Sequence, residues 1–222
     1  MHLYIDIETL PPLAWSRDRQ VAYVRSRAPA THKRPDTINA WVEENFDREW
    51  GRSALDWRVS RIACIGVALD DGREVRGMTF LGGTDDDNER RMLTELEWWL
   101  REHDAWSAYV VGHNVLGFDL PRLHLTAARL RHNLAAWFHD VNADHRKRVT
   151  DTMLMAFPSR ERVSLADLSE LLGLDGKTGH GSEVHPMWLA GKKDAITAYC
   201  LNDVLLTRSI HYLLCGASDA NP

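Results

Sequence analysis

Asp6 and Glu8 stand one residue apart in the apolar run Leu3-Tyr-Ile-Asp-Ile-Glu8, and that spacing limits what the chain can build around them. In a strand, successive side chains take opposite faces. Leu3, Ile5 and Ile7 would then enter a core while both carboxylates leave the other face. Two like charges held side by side repel one another and resist desolvation, so something must compensate them. A hard divalent cation such as Mg²⁺ or Mn²⁺ does so through oxygen ligands. A solvated edge strand does so as well, and the pair alone leaves both readings open.

The rest of the chain reads as one α/β domain over residues 1–222, with a mostly helical insertion at residues 11–57 directly after the first strand. Pro29 and Pro35 break that insertion. Arg-Ile-Ala-Cys-Ile-Gly-Val-Ala-Leu from Arg61 reads as a core strand, and Asp71-Gly72 turns it into a hairpin partner. Met92, Leu93, Leu96, Trp99, Leu100 and His103 recur at helical spacing, which predicts a helix over residues 84–103 with Thr84 at its start. A strand at Ala108-Tyr-Val-Val-Gly112 precedes a helix over residues 118–133 with Leu120, Leu123, Ala127 and Leu130 on one face. Ser164 and Asp167 open a short helix that stops at Gly173, a Gly-rich loop spans residues 173–191, and a final helix covers residues 193–214.

Two further elements carry chemistry-bearing residues. In Val111-Gly-His-Asn-Val-Leu-Gly-Phe-Asp119 a strand ends in a Gly-containing turn and Asp119 opens a helix, beside the positive end of its dipole. That is a good position for an ionised ligand, although for Asp119 taken alone an ordinary N-cap is the preferred reading. Tyr199 and Asp203 are four residues apart in the last helix and share a face, next to an apolar stripe of Ile196, Cys200, Val204 and Thr207.

In this order and setting, Asp-Ile-Glu-Thr, then His-Asn-x-x-x-Phe-Asp, then Tyr-x-x-x-Asp in a C-terminal helix, the chain resembles the tyrosine branch of the DEDD exonuclease superfamily. It is most similar to predicted stand-alone exonucleases related to the proofreading domain of family B DNA polymerases. The histidine branch would place His where Ala198 stands. The resemblance implies a ribonuclease H-like mixed sheet flanked by helices and hydrolysis supported by two divalent ions, Mg²⁺ or Mn²⁺. It implies that Asp6 bridges both ions, that Glu8 and Asp203 complete one site, and that Asp119 holds the other largely through water. Tyr199 is expected to orient the attacking water. Substrate contacts are expected at Thr9, Leu10, His113, Asn114, Phe118 and Lys177, with Leu10 against the terminal base and Lys177 on a phosphate. Asp151 is expected to be structural, at the end of a strand.

The partner implied is the 3′ end of a single-stranded nucleic acid, DNA in preference to RNA. The alternatives are an exoribonuclease with the same site, and a non-catalytic nucleic-acid-binding module of a replication or repair complex. A net charge of −5 is unusual for a general nucleic-acid binder, but four metal-binding carboxylates contribute much of it. Arg17, Arg19, Arg25, Arg27, Lys33 and Arg34 form a basic block opposed only by Asp18, either a solvated helical surface or a substrate contact. Trp15, Trp41, Trp50 and Trp57 surround it and would stack bases where exposed or pack a core where buried. Cys64, Cys200 and Cys215 form no Cys-x-x-Cys pair, so reduced thiols of a cytoplasmic protein are expected. No apolar run is long enough for a membrane span.

Overall fold

The computed structural model describes residues 1–158, 162–174 and 179–217. Strands β1 (His2–Leu10), β2 (Arg61–Asp70), β3 (Val75–Leu81), β4 (Tyr109–Gly112) and β5 (Val149–Asp151) form a mixed sheet in the order β3-β2-β1-β4-β5. β1 therefore lies at the centre, antiparallel to β2 and parallel to β4. The β2–β3 hairpin forms as expected, with Gly72 at φ 82° in the turn, a conformation that costs glycine little. The β1–β2 register slips between Glu8 and Thr9, so one residue of β1 faces two of β2. Such a bulge increases twist and re-aims side chains.

The strand alternation read from the sequence holds on both faces. Leu3, Ile5 and Ile7 enter the main core. They pack there against α3 (Asp86–Glu102), α4 (Asp119–Arg129) and α5 (Leu134–Ala143). The opposite face carries Tyr4 with Ala68 and Val111, against Val204 of α10 (Lys193–Leu214). Cys64 of β2 packs there too, against Ile196, Tyr199 and Cys200. Three polar contacts fix the long helix on the sheet. The Tyr4 hydroxyl and His211 Nδ1 are 2.9 Å apart, and buried Asp70 accepts from Arg208 Nε at 2.6 Å and Tyr212 Oη at 2.9 Å.

Between β1 and β2 the chain forms α1 (Arg17–Ser26) and α2 (Pro35–Arg52). Ser16 caps the first, and Pro35 at the first helical position starts the second. Val24, Val42, Phe46 and Trp50 make a small core of their own, with Trp15 and Trp41 partly buried against it. Trp57 is 64% exposed and remains outside. Shorter helices α6 (His145–Arg148), α7 (Thr152–Ala156), α8 (Leu165–Leu171) and α9 (Val184–Leu189) complete the order. No helix among the described residues is long and apolar enough to cross a membrane.

Three boundaries differ from expectation. The N-cap of α3 is Asp85, not Thr84, and its carboxylate accepts from Asn88 N at 2.8 Å. The helix expected over residues 118–133 ends at Arg129, because Arg131 takes a left-handed φ of 53° and the chain turns into α5. The expected Gly-rich loop contains α9, whose Val184 is buried beneath α10.

Candidate active site

The geometry of β1 brings Asp6 and Glu8 out on the face covered by α10, where Tyr199 and Asp203 point back at them. One oxygen from each of Asp6, Glu8 and Asp203 lies within 4.8 Å of the others. Glu8, Asp203 and Tyr199 are all buried. Asp119, at the first turn of α4, is buried as well and accepts a hydrogen bond from the Ile7 amide at 3.0 Å, which ties it to the strand between the two acids. The helix meets the strand closely because Cys200 sits over it, its Sγ 3.6 Å from Asp6 Oδ2.

Electrostatics show the cost of this arrangement. Burial pushes the Asp119 carboxyl well above its ordinary range, and the charge of Asp6 pushes the same way, while the Ile7 amide opposes them. Burial also raises the Tyr199 phenol, as do the charges of Asp203, Glu8 and Asp6, so this hydroxyl stays protonated far into alkaline pH. The donor set therefore consists of hard carboxylate oxygens, crowded and largely removed from water, with a neutral phenol beside them. Those are the properties that fit divalent cations with a preference for oxygen.

A cleft of about 940 Å³ opens from Glu8 and Thr9. Its walls include Phe118 at the start of α4, Arg48, Trp50 and Arg52 of α2, and His185 and Leu189 of α9. The α2 and α9 contributions were not legible in the sequence. The first was hidden in the insertion and the second in what read as loop, though Val184 and Trp188 lie four residues apart on one side of that helix. His185 has its pKa lowered by burial, so it lines the cleft as a neutral ring at pH 7.

The expected substrate contacts do not all converge. Thr9 and Phe118 share the cleft with Glu8. Leu10 is a correction: it has no exposed surface and packs between Cys64, Val184 and Tyr199, so it seats the helices and offers nothing to a base. His113 uses its ring structurally, with Nδ1 3.1 Å from Thr152 Oγ1 and Nε2 2.9 Å from the Val163 carbonyl oxygen. Asn114 holds a left-handed φ of 55° and lines a different cavity, with Asp151, Met153 and His145. Asp151 is structural, as expected, and accepts from the amides of Asn114, Leu116 and Met153. It thereby clamps the turn that leads to Asp119. Lys177 lies outside the described residues.

The sequence model of a family described as "Predicted 3'-5' exonuclease related to the exonuclease domain of PolB" matches residues 53–217. That span contains Asp119, Tyr199 and Asp203 and begins after Asp6 and Glu8. Among solved structures, the family B DNA polymerase from the hyperthermophilic archaeon Pyrobaculum calidifontis is similar, with a TM-score of 0.57 and 17% sequence identity. The similarity covers 96% of this chain and 24% of the polymerase, so the chain spans about a quarter of that protein's length. At this identity the likeness concerns the fold: the central mixed sheet with flanking helices is ribonuclease H-like. No curated protein matches the chain.

Proposed function

The chain belongs to the family of predicted 3′–5′ exonucleases related to the exonuclease domain of PolB, and from that premise we propose that it removes nucleotides from the 3′ end of single-stranded DNA. Asp6, Glu8, Asp119 and Asp203 would hold two divalent ions, Mg²⁺ or Mn²⁺. Such ions supply positive charge to the developing oxyanion and lower the pKa of a coordinated water. Water oxygen attacks the terminal phosphodiester phosphorus, the bond to the preceding nucleotide's 3′ oxygen breaks, and that oxygen takes a proton. The product is a nucleoside 5′-monophosphate.

The observation that carries this reading is the convergence of Asp6, Glu8 and Asp203 within 4.8 Å, with Glu8 also lining the cleft. The chain's own part is to hold charge and to orient. Tyr199 cannot act as a base, because its raised pKa keeps the proton in place, and it serves to orient the attacking water. Asp119 anchors on the Ile7 amide, so its second oxygen is presented in a fixed direction. Thr9 and Phe118 flank the terminal nucleotide in the cleft.

The test is digestion of a 5′-labelled single-stranded oligonucleotide with Mg²⁺ or Mn²⁺, beside a matched RNA. Stepwise shortening that Asp6→Ala abolishes supports the reading. Shortening that survives Asp6→Ala removes the site assignment, and preference for the RNA strand replaces DNA as the substrate.

A further inference from the structure

Arg19 and Arg27 of the basic block have no task in the chemistry above, and the arginines gathered around them give them one. Arg19, Trp57, Arg58, Arg61, Arg122 and Arg129 line a groove of about 420 Å³. Fewer acids answer them: Asp56 pairs with Arg58 at 2.7 Å, while Asp86 and Glu89 are shared between Arg61 and Arg129. Among the described residues, Arg19 and Arg122 have no carboxylate within ion-pair distance. Arg19 lies over the Trp15 ring at 3.8 Å. Arg122 is only 5% exposed, donates to the carbonyl oxygens of Trp57 and Ser60, and has no partner at Nε. Burial lowers it to about 10, which leaves it a cation at neutral pH beneath the groove. In a chain of net charge −5, this is concentrated positive charge that Asp56, Asp86 and Glu89 offset only in part.

The groove also leads somewhere. Trp57 and Arg58 line a second hollow with Arg27, Arg52 and Leu55, and Arg52 and Leu55 in turn line the carboxylate cleft. Leu55 and Trp57, at the junctions, are 68% and 64% exposed. Arg122 holds the Trp57 and Ser60 carbonyls, so the segment presenting that indole is fixed from below.

We propose that this track binds the single-stranded nucleic acid on the 5′ side of the nucleotide being removed. Trp57 stacks a base, and Arg19 and Arg58 hold phosphates over the charge of Arg122. Interleaved aromatic and guanidinium groups suit a polynucleotide, and a track that ends at metal-binding carboxylates favours one over an acidic protein. The proposal rests on the exonuclease reading and adds substrate length to it. Arg19, Arg27 and Arg52 precede the segment that the family's sequence model matches, while Leu55, Trp57, Arg58, Arg61, Arg122 and Arg129 lie within it.

The experiment is fluorescence anisotropy with labelled oligothymidylates of about 4 and about 20 nucleotides, in EDTA so that nothing is cut, for the wild-type chain and Arg19→Ala/Trp57→Ala. The wild type should bind the long strand more tightly. The double variant should lose about 10-fold or more for the long strand alone, with a salt dependence shallower by about 0.7 for the lost phosphate contact. Equal affinity for both lengths in the wild type, or unchanged long-strand binding in the variant, overturns the proposal. Hydrolysis of thymidine 5′-monophosphate p-nitrophenyl ester with Mn²⁺ reads the carboxylate cleft separately. An inert ester with the length effect intact retains the track and removes the nuclease. A cleaved ester without a length effect does the reverse.

Discussion

Replacing Gly66 by alanine tests how closely the last helix must sit on the sheet. Gly66 pairs with Asp6 across β1 and β2, directly beneath α10. A Cβ added there would lie 2.8 Å from Cys200 Sγ, 3.0 Å from Val204 Cγ2 and 3.2 Å from the Cys200 carbonyl oxygen. Favourable contacts begin near about 3.5 Å, so the helix must lift by roughly 0.5 Å or more. Overpacking of that size costs about 1–3 kcal/mol. For a chain of this length, melting should fall by roughly 2–12 °C. The lift also carries Tyr199 and Asp203 away from Asp6, and a displacement approaching 1 Å lowers kcat by about 10- to 100-fold. Scanning calorimetry and single-turnover digestion of a labelled oligonucleotide measure the two effects. Adding Cys200→Ala removes the nearest clash and should restore part of both, since Val204 and the backbone carbonyl remain. A Gly66→Ala chain that melts within about 1 °C of wild type and cuts at the same rate would falsify the claim that this contact sets the site.

Three other changes probe separate parts of the molecule. Asp203→Asn removes one of the crowded charges, so in EDTA it should melt no lower than wild type. The rise that Mn²⁺ gives the wild type, about 2.7 kcal/mol at a hundredfold excess over Kd, should vanish; an equal rise in both chains rejects Asp203 as a ligand. Tyr199→Phe should keep that Mn²⁺-induced rise while hydrolysis slows by about 10- to 100-fold, and loss of the rise would instead make Tyr199 part of the metal site. Arg208→Ala breaks a buried pair and should cost about 3–5 kcal/mol. Burial alone would raise Asp70, but the Gly72 amide, Arg208 and Tyr212 outweigh it and hold the carboxyl below its ordinary value. The stability that Asp70 contributes is therefore complete above about pH 4 and is lost as pH falls through the lowered value. Wild type should lose more stability than Arg208→Ala over that acid range; parallel curves in calorimetry remove the linkage.

Most of the framework could be read because burial imposes a period. The alternation of Leu3, Ile5 and Ile7 with Asp6 and Glu8 announced both the strand and the shared face of the acids. The stripe from Ile196 to Thr207 announced the docked side of α10, and with it the direction of Tyr199 and Asp203. Ser164 marked a helix start through its own cap chemistry. What stayed hidden depended on three-dimensional context. Arg131 carries no local signal for a left-handed turn, so the helix read over residues 118–133 ran past the true end of α4 at Arg129. Leu10 follows the acid pair in sequence, yet packing against Val184 of α9 and Tyr199 of α10 buries it. Of the four tryptophans around the basic block, nothing local distinguishes buried Trp50 from exposed Trp57.

The central strand and the last helix have a consequence for how the protein comes into being. Asp6 leaves the ribosome almost two hundred positions ahead of Asp203. The contacts that bring them together, from Tyr4 to His211 and from Asp70 to Arg208, likewise join early chain to late chain. A nascent polypeptide that has emerged only through α9 has β1 and its two acids but no Asp203 opposite them. Synthesis itself thus acts as a safety catch, and the carboxylate cluster closes only when α10 docks.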